Sequence, residues 1–289
     1  MDISNNMEEK MDLNKVLDEM NKNAIKLEFK INNKEDLPKG TSKFGGSPDV
    51  PKDFEWFYYS GEDFNGVTKK RPLSFLAQIN CEEINKYDED SLLPSKGILY
   101  FFYELSTMTW GFDPKDKGSA KVYYFDGDVT ELMRTNFPND MEDEFKFPEI
   151  QLGFSKKYDL PCYEEFTELY DYEDWDHYDQ VKSIKGYEDE EKVSKLLGYA
   201  DLIQGGMLLE CEQVTNGIYC GDTPKITTEE LKKFKENCDQ WQLLFQLDTV
   251  TTNDFELMFG DCGRIYYYIK KEDLKKCKFN DCWLILQCG

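Results

Sequence analysis

A pair of apolar-aromatic runs that occurs twice constrains this chain more than any other feature. Leu73–Asn80 (LSFLAQIN) and Gly97–Tyr103 (GILYFFY) are echoed by Trp241–Asp248 (WQLLFQLD) and Gly263–Ile269 (GRIYYYI). Each first run ends Gln-aliphatic-Asn/Asp, and each second run opens on glycine and is dense in aromatics. Runs this short, bounded by turn formers and rich in aromatics, read as strands rather than helices. A glycine-led segment precedes each pair, KFGGSPDVP (43–51) and LLGYADLIQ (196–204). The repeat is too long for a solenoid. It points to two related halves, paired about a pseudo-twofold axis, with an insertion in the second.

The rest of the chain fits around that frame. Leu13, Val16, Leu17, Met20 and Ala24 share one helical face, and Ile25, Leu27, Phe29 and Ile31 then alternate as in a half-buried strand. Further strands are expected at 121–125, 147–152 and 282–287. Glu188–Leu197 reads as a helix, with Val193, Leu196 and Leu197 on one face. The T-x-x-E capping box at Thr227 and Glu230 opens another. The fold class expected is therefore mainly β with some α: antiparallel, roll-like sheets in two related halves with a few peripheral helices. The organisation reads as an N-terminal helix (1–26), a first β-rich half (27–153), an acidic aromatic linker or helical segment (154–195) and a second β-rich half (196–289).

Charge excludes whole classes of function. The chain of 289 residues carries 58 acids against 35 bases, a formal net charge of −23, and a single histidine. A phosphate-backbone binder needs a basic face, so no nucleic acid is expected. One histidine removes most histidine-based catalysis and most zinc sites. The nine cysteines, at 81, 162, 211, 220, 238, 262, 277, 282 and 288, include no C-x-x-C spacing. They read as reduced thiols, and neither a metal site nor a cofactor is expected. The first 25 residues lack the apolar stretch of a secretory signal, and no segment is apolar enough for a membrane span. A cytoplasmic protein with no membrane association is the expectation; the sequence leaves its oligomeric state open.

Phosphate-binding glycine loops are absent, and the Asp113–Asp116 and Asp126–Asp128 clusters lack calcium-loop spacing, so they read as turns. The basic cluster Arg264, Lys270, Lys271, Lys275, Lys276 and Lys278 is expected to face the acidic run or solvent. Two candidate sites remain. Cys162–Gln180 carries eight acids, six aromatics and no Lys or Arg. Aromatics at 163, 166 and 170 imply a helix laid on the body with acids outward. Asp171, Glu173, Asp174, Trp175 and Asp176 are its candidate partner-binding residues, and His177 is a surface residue of the same face. The second candidate is a polar ligand cluster between the halves, built from Gln78, Asn80, Gln246, Asp248 and Asp261.

The motifs G-G-x-P (45–48), P-L-x-F-L-A-Q-I-N (72–80), L-P-x-x-G-x-L-Y-F-F-Y (93–103) and W-G-F-D-P-K-D-K-G (110–118) resemble the YwqG family of bacterial proteins. So do L-L-G-Y-A-D-x-I-Q (196–204), W-x-L-L-F-Q-L-D (241–248), G-D-x-G-R-I-Y (260–266), I-K-K-E-D-L (269–274) and L-I-L-Q-C (284–288). The resemblance spans about residues 27–289. It departs at Trp56-Phe57, where the family usually has Trp-Pro, and at Phe259-Gly260-Asp261, where it has Trp-Gly-Asp. It implies a mainly β, roll-like domain of unknown function with no catalytic residues to carry over. Family members are associated with bacteria rich in secreted toxins, which implies an immunity or partner-binding role. The expectation is a non-catalytic, immunity-like module docking a basic protein partner through the acidic aromatic face. The alternative is a small-ligand binder or hydrolase using the cluster between the halves.

Overall fold

The computed structural model describes residues 11–31, 37–62, 65–187, 193–223 and 225–289. In chain order the first part contains α1 (Leu13–Met20), β1 (Lys22–Lys30), β2 (Lys43–Phe44), β3 (Asp49–Pro51), β4 (Tyr58–Glu62), β5 (Thr68–Pro72), β6 (Ser74–Asn80), α2 (Cys81–Ile84), β7 (Ile98–Tyr103), β8 (Ala120–Phe125) and β9 (Leu132–Arg134). The remainder contains β10 (Ile150–Asp159), α3 (Tyr163–Leu169), α4 (Trp175–Ile184), β11 (Lys195–Leu197), α5 (Leu208–Thr215), α6 (Thr228–Asn237), β12 (Trp241–Asp248), β13 (Val250–Thr251), β14 (Glu256–Leu257), β15 (Arg264–Lys270), α7 (Lys271–Lys275) and β16 (Trp283–Gln287).

Ten of these strands form one antiparallel sheet in the order β16-β15-β12-β11-β1-β10-β2-β6-β7-β8. That order is a palindrome in the repeat. Each half contributes a long strand (β1 or β10), a glycine-bounded short strand (β2 or β11) and three successive strands (β6-β7-β8 or β12-β15-β16). The long strands pair with each other from Lys22↔Asp159 to Lys30↔Gln151. They are also exchanged, because β1 pairs with β11 and β10 pairs with β2. The register irregularity between Phe75 and Ala77 is matched by one between Leu243 and Phe245. Such repeated detail follows from two related halves.

The sheet curls until its inner face packs on itself. Phe101 of β7 lies 4.3 Å from Phe245 of β12 and 5.3 Å from Tyr267 of β15, centroid to centroid. Aliphatic and aromatic residues from both halves fill this core, and the outer face is covered by α1, α3, α4, α5 and the β4–β5 hairpin. The WGFDPKDKG segment closes the free edge. The carbonyl of Trp110 accepts from Leu286 N (2.9 Å), and that of Gly111 accepts from Trp283 Nε1 (2.8 Å). Asp113 and Asp128 cap short 3₁₀ turns, as their spacing predicts.

Two segments differ from expectation. The helix expected over 188–197 falls partly outside the described residues, and Lys195–Leu197 is the buried strand β11. Its apolar pair, Leu196 and Leu197, fits a helical face equally well, but pairing with β1 and β12 decides the matter. The N-terminal strand starts at Lys22 rather than Ile25, so Ala24 is in the sheet.

Gly111 has φ +87°, and a Cβ there would meet Leu284 O at 2.0 Å. Gly217 has φ +89° with nothing within 4 Å of its Cβ position. Both substitutions to alanine carry the left-handed cost of about 1 kcal/mol. Gly111→Ala must also displace a backbone strand. We therefore expect Gly111→Ala to destabilise by at least ~2 kcal/mol more than Gly217→Ala in chemical denaturation. Equal losses would mean that the loop does not seal the sheet.

Candidate functional site

The glycine-bounded strands build two copies of one buried polar module. Lys43 pairs opposite Gln78, and Lys195 opposite Gln246, with both lysines fully buried. Six residues on from each lysine stands its aspartate, in S-K-F-G-G-S-P-D (42–49) and S-K-L-L-G-Y-A-D (194–201). Gln78 donates from Nε2 to Thr41 O (2.8 Å) and Asp49 Oδ2 (3.0 Å), and accepts from Asp49 N (2.9 Å). Gln246 donates to Val193 O (2.7 Å) and Asp201 Oδ2 (2.8 Å), and accepts from Asp201 N (2.9 Å). Tyr100 and Tyr266 donate to the carbonyls of Asp49 (2.5 Å) and Asp201 (2.7 Å). Backbone geometry repeats as well: φ is +59° and +66° at Gly45 and Gly46, and +60° and +74° at Leu197 and Gly198.

The modules differ in how their cations are shared. Lys195 Nζ lies 2.6 Å from Asp201 and 2.7 Å from Asp159. Burial disfavours its charge, but the two carboxylates outweigh burial and hold its pKa above the ordinary value. Lys43 Nζ contacts Glu149 (2.6 Å) and lies 3.6 Å from Asp49, but Arg134 competes for both carboxylates. There burial prevails and the pKa falls below the usual lysine value. Lys195→Met would strand Asp201 without its close cation, at a cost of about 3–5 kcal/mol. Lys43→Met leaves Arg134 on Asp49 and should cost roughly half as much. Urea unfolding of the two variants measures the difference; a larger loss from Lys43→Met would overturn this ranking.

These contacts redistribute the ligand cluster expected between the halves. Gln78 and Asn80 belong to the first module, Gln246 and Asp248 to the second, and four strands separate β6 from β12 in the sheet. Asn80 donates to Gly40 O (3.0 Å) and caps α2. Asp248 pairs with Arg264 (2.5 Å) and accepts from Val193 N (3.1 Å). Asp261 is exposed on a turn. The glutamines and their neighbours are thus spent on backbone and turn contacts, because each half must satisfy its own glycine-rich bend. A cleft of about 380 Å³ does lie between the halves, walled by Lys117, Lys121, Trp241, Lys270 and Trp283 among others; none of the five lines it. The C-terminal basic cluster is also partly internal: Arg264 holds Asp248, and Lys270 holds Glu212 at 3.0 Å.

The acidic aromatic segment forms α3, a short connection and α4. Phe166 and Tyr178 are buried, with ring centroids 4.8 Å apart, and Tyr163, Tyr170 and Tyr172 pack around them. Tyr163 donates to Tyr172 O (3.0 Å) and Tyr178 to Pro161 O (2.7 Å), which fixes the connection. Asp171, Glu173, Asp174, Trp175 and Asp176 all lie exposed, with Trp175 54% exposed. Asp174 caps α4 by accepting from His177 N (3.0 Å), while His177 Nδ1 meets Tyr172 Oη at 2.6 Å. Among the described residues, no ion pair neutralises these four carboxylates, and no group of three His, Cys, Asp or Glu side chains is placed to hold a metal ion.

Not every acid of this segment points outward. Glu165 and Glu168 of α3 turn inward with Phe166 and Leu169. Burial raises the Glu165 carboxyl to about 7, against the pull of Lys22 and the Ala200 N–H. Burial and the neighbouring Glu165 raise Glu168 to about 8, although it accepts from Leu208 N (2.9 Å) and Leu209 N (3.3 Å). Glu210, in the first turn of α5, is raised to about 7 by burial alone. Glu165, Lys22, Tyr199, Leu208 and Trp241 line a cavity of about 520 Å³ where α1, α3, α5 and α6 converge. The sequence offered one signal for Glu165: it falls on the buried stripe with Phe166 and Leu169.

A carboxyl whose folded pKa is raised contributes full stability below its unfolded pKa and loses it as pH rises through the folded value. Glu210 should therefore lose stability for the chain between its ordinary 4.5 and about 7. Glu210→Gln should match the wild type at the acidic end and exceed it in thermal midpoint above that window. A constant offset at every pH would show that Glu210 is not buried in this sense.

Comparison with protein families matches residues 42–288 to the Domain of unknown function (DUF1963), and the chain belongs to that family. The match includes both modules and the acidic segment but begins after β1. Among curated proteins, none matches the chain.

Proposed function

We propose that this member of the DUF1963 family is a non-catalytic protein-binding module, YwqG-like and cytoplasmic, that docks a basic protein partner through residues 171–176. Masking of a basic toxin enzyme, as an immunity protein would do it, is the form of docking proposed. The observation that carries the reading is the presentation of Trp175 at the start of α4, half exposed, among four carboxylates that no described side chain neutralises. The aromatic cluster beneath holds this face in place, so little conformational entropy is lost on binding. An exposed Trp supplies anchor area. The carboxylates steer a cationic surface toward it. Nine free cysteines support a reducing compartment.

The test is a quadruple variant, Asp171→Asn with Glu173→Gln, Asp174→Asn and Asp176→Asn. Asparagine caps a helix as well as aspartate does, so α4 should persist. Proteins captured from host extract at low salt are compared between wild type and variant, and the dominant basic partner is then titrated in purified form. We expect affinity to fall at least about tenfold in the variant, and the wild-type interaction to weaken with salt as exposed charges are screened over ~10 Å. Unchanged binding by the variant would remove the proposal.

A further inference from the structure

We infer that the cavity beneath α3 is a binding site for a small zwitterion with an apolar side chain, an α-amino acid or a dipeptide, whose ammonium meets Glu165 and whose carboxylate meets Lys22. This site is distinct from the exposed acidic face, since none of Asp171, Glu173, Asp174, Trp175 and Asp176 lines it.

Four observations converge on it. Glu165 is 2% exposed and its Oε2 has no hydrogen-bond partner. A buried acceptor left unmet costs free energy that a bound donor restores. Lys22 opens on the same cavity, where its ammonium lies 3.7 Å from the centroid of the Tyr199 ring. No hydrogen-bond acceptor or ion pair engages that ammonium among the described residues. The two opposite charges thus share a cavity without touching each other. Lining the same space are Met20, Leu169, Leu208 and Trp241, which offer apolar surface. A volume of about 520 Å³ is in the range of small-molecule sites.

The charge balance selects the ligand class. Lys235, Lys271, Glu19, Glu236 and Asp239 also border the cavity, so neither sign dominates. A simple anion would meet Lys22 and leave Glu165 unmatched and repelled. A simple amine would do the reverse. A zwitterion satisfies both, and its apolar side chain covers Leu208 and Trp241. Burial lowers Lys22 to about 8 while raising Glu165 to about 7, so the unliganded pair is poised to lose its charges. Bound opposite charges restore them.

Isothermal titration of the full chain with L-leucine, L-phenylalanine, L-tryptophan and L-leucyl-L-leucine tests the inference. Each probe is run beside its N-acetyl and carboxamide derivatives. At least one parent zwitterion should bind, with both of its derivatives at least tenfold weaker. The better fit between single amino acids and the dipeptide reports the charge separation that the site accepts. Glu165→Gln should abolish the preference for a free ammonium, and Lys22→Met the preference for a free carboxylate. Thermal unfolding confirms that both variants fold. The inference fails if no parent binds at millimolar concentration, if a derivative binds as well as its parent, or if both variants retain the wild-type preference. The quadruple surface variant should bind these probes normally, which separates this site from the partner-docking face.

Discussion

Two buried ammonium groups, Lys43 and Lys195, set the terms for everything around them. A lysine taken out of water is tolerated only where carboxylates and hydrogen bonds replace its hydration. Each therefore requires its aspartate six residues on, its facing glutamine and a tight left-handed bend between lysine and aspartate. The module also fixes strand register. A slip of one residue would turn Lys43 or Lys195 toward the aromatic core and Phe44 or Leu196 away from it. Buried ion pairs add little net stability on their own, so specification of register is their better-supported role here.

The exchange of β1 and β10 makes the halves interdependent. Lys43 takes its closest carboxylate from Glu149, at the start of the second half's long strand. The corresponding position beside Gly198 is Ala24 of β1, which lies so near that a Cβ on Gly198 would sit 2.7 Å away. The second module therefore draws its extra carboxylate from Asp159 at the far end of β10. This difference explains why one lysine competes with Arg134 and the other does not. The first module thus depends on a carboxylate beside the other half's long strand, whereas the second closes its ion pairs with Asp159 and Asp201 of its own half.

The sequence made the echoing strands legible because their apolar content and Gly boundaries survive in both copies. It concealed the modules. Lysine is a surface residue by default, and only the paired S-K-x-x-G-x-x-D spacing, in register with a glutamine, distinguishes Lys43 and Lys195. The glycine-led segments were visible, but an alignment starting at Lys43 and Leu196 is offset by one from the structural equivalence of Lys43 with Lys195. Val193, Leu196 and Leu197 mimic a helix face, and only the partners β1 and β12 make that segment a strand. The aromatics at 163, 166 and 170 mark one helix in the acidic run, and α3 holds the first two of them; the break after Leu169 and the second helix α4 carry no such signal. Gln78 and Gln246 occupy the same place in the two echoing strands, yet pairing in space is not encoded by likeness of motif. Likeness places them at equivalent points of two halves and therefore apart.

The acids of α3 and its surroundings obey two different rules. Asp171, Glu173, Asp174 and Asp176 remain in water, where a carboxylate costs nothing to keep and adds long-range attraction for a cation. Glu165 is buried, where a charge is costly unless it is paired and fully hydrogen-bonded. The lysine modules close their hydrogen bonds internally; Glu165 and Lys22 do not. Among the described residues, Lys22 has the Tyr199 ring but no acceptor, and Glu165 Oε2 has no donor, so each keeps one position that a bound group could fill. The acidic segment thus keeps one set of carboxylates in water, at 171–176, and one carboxylate, Glu165, in a buried and incompletely matched pair with Lys22.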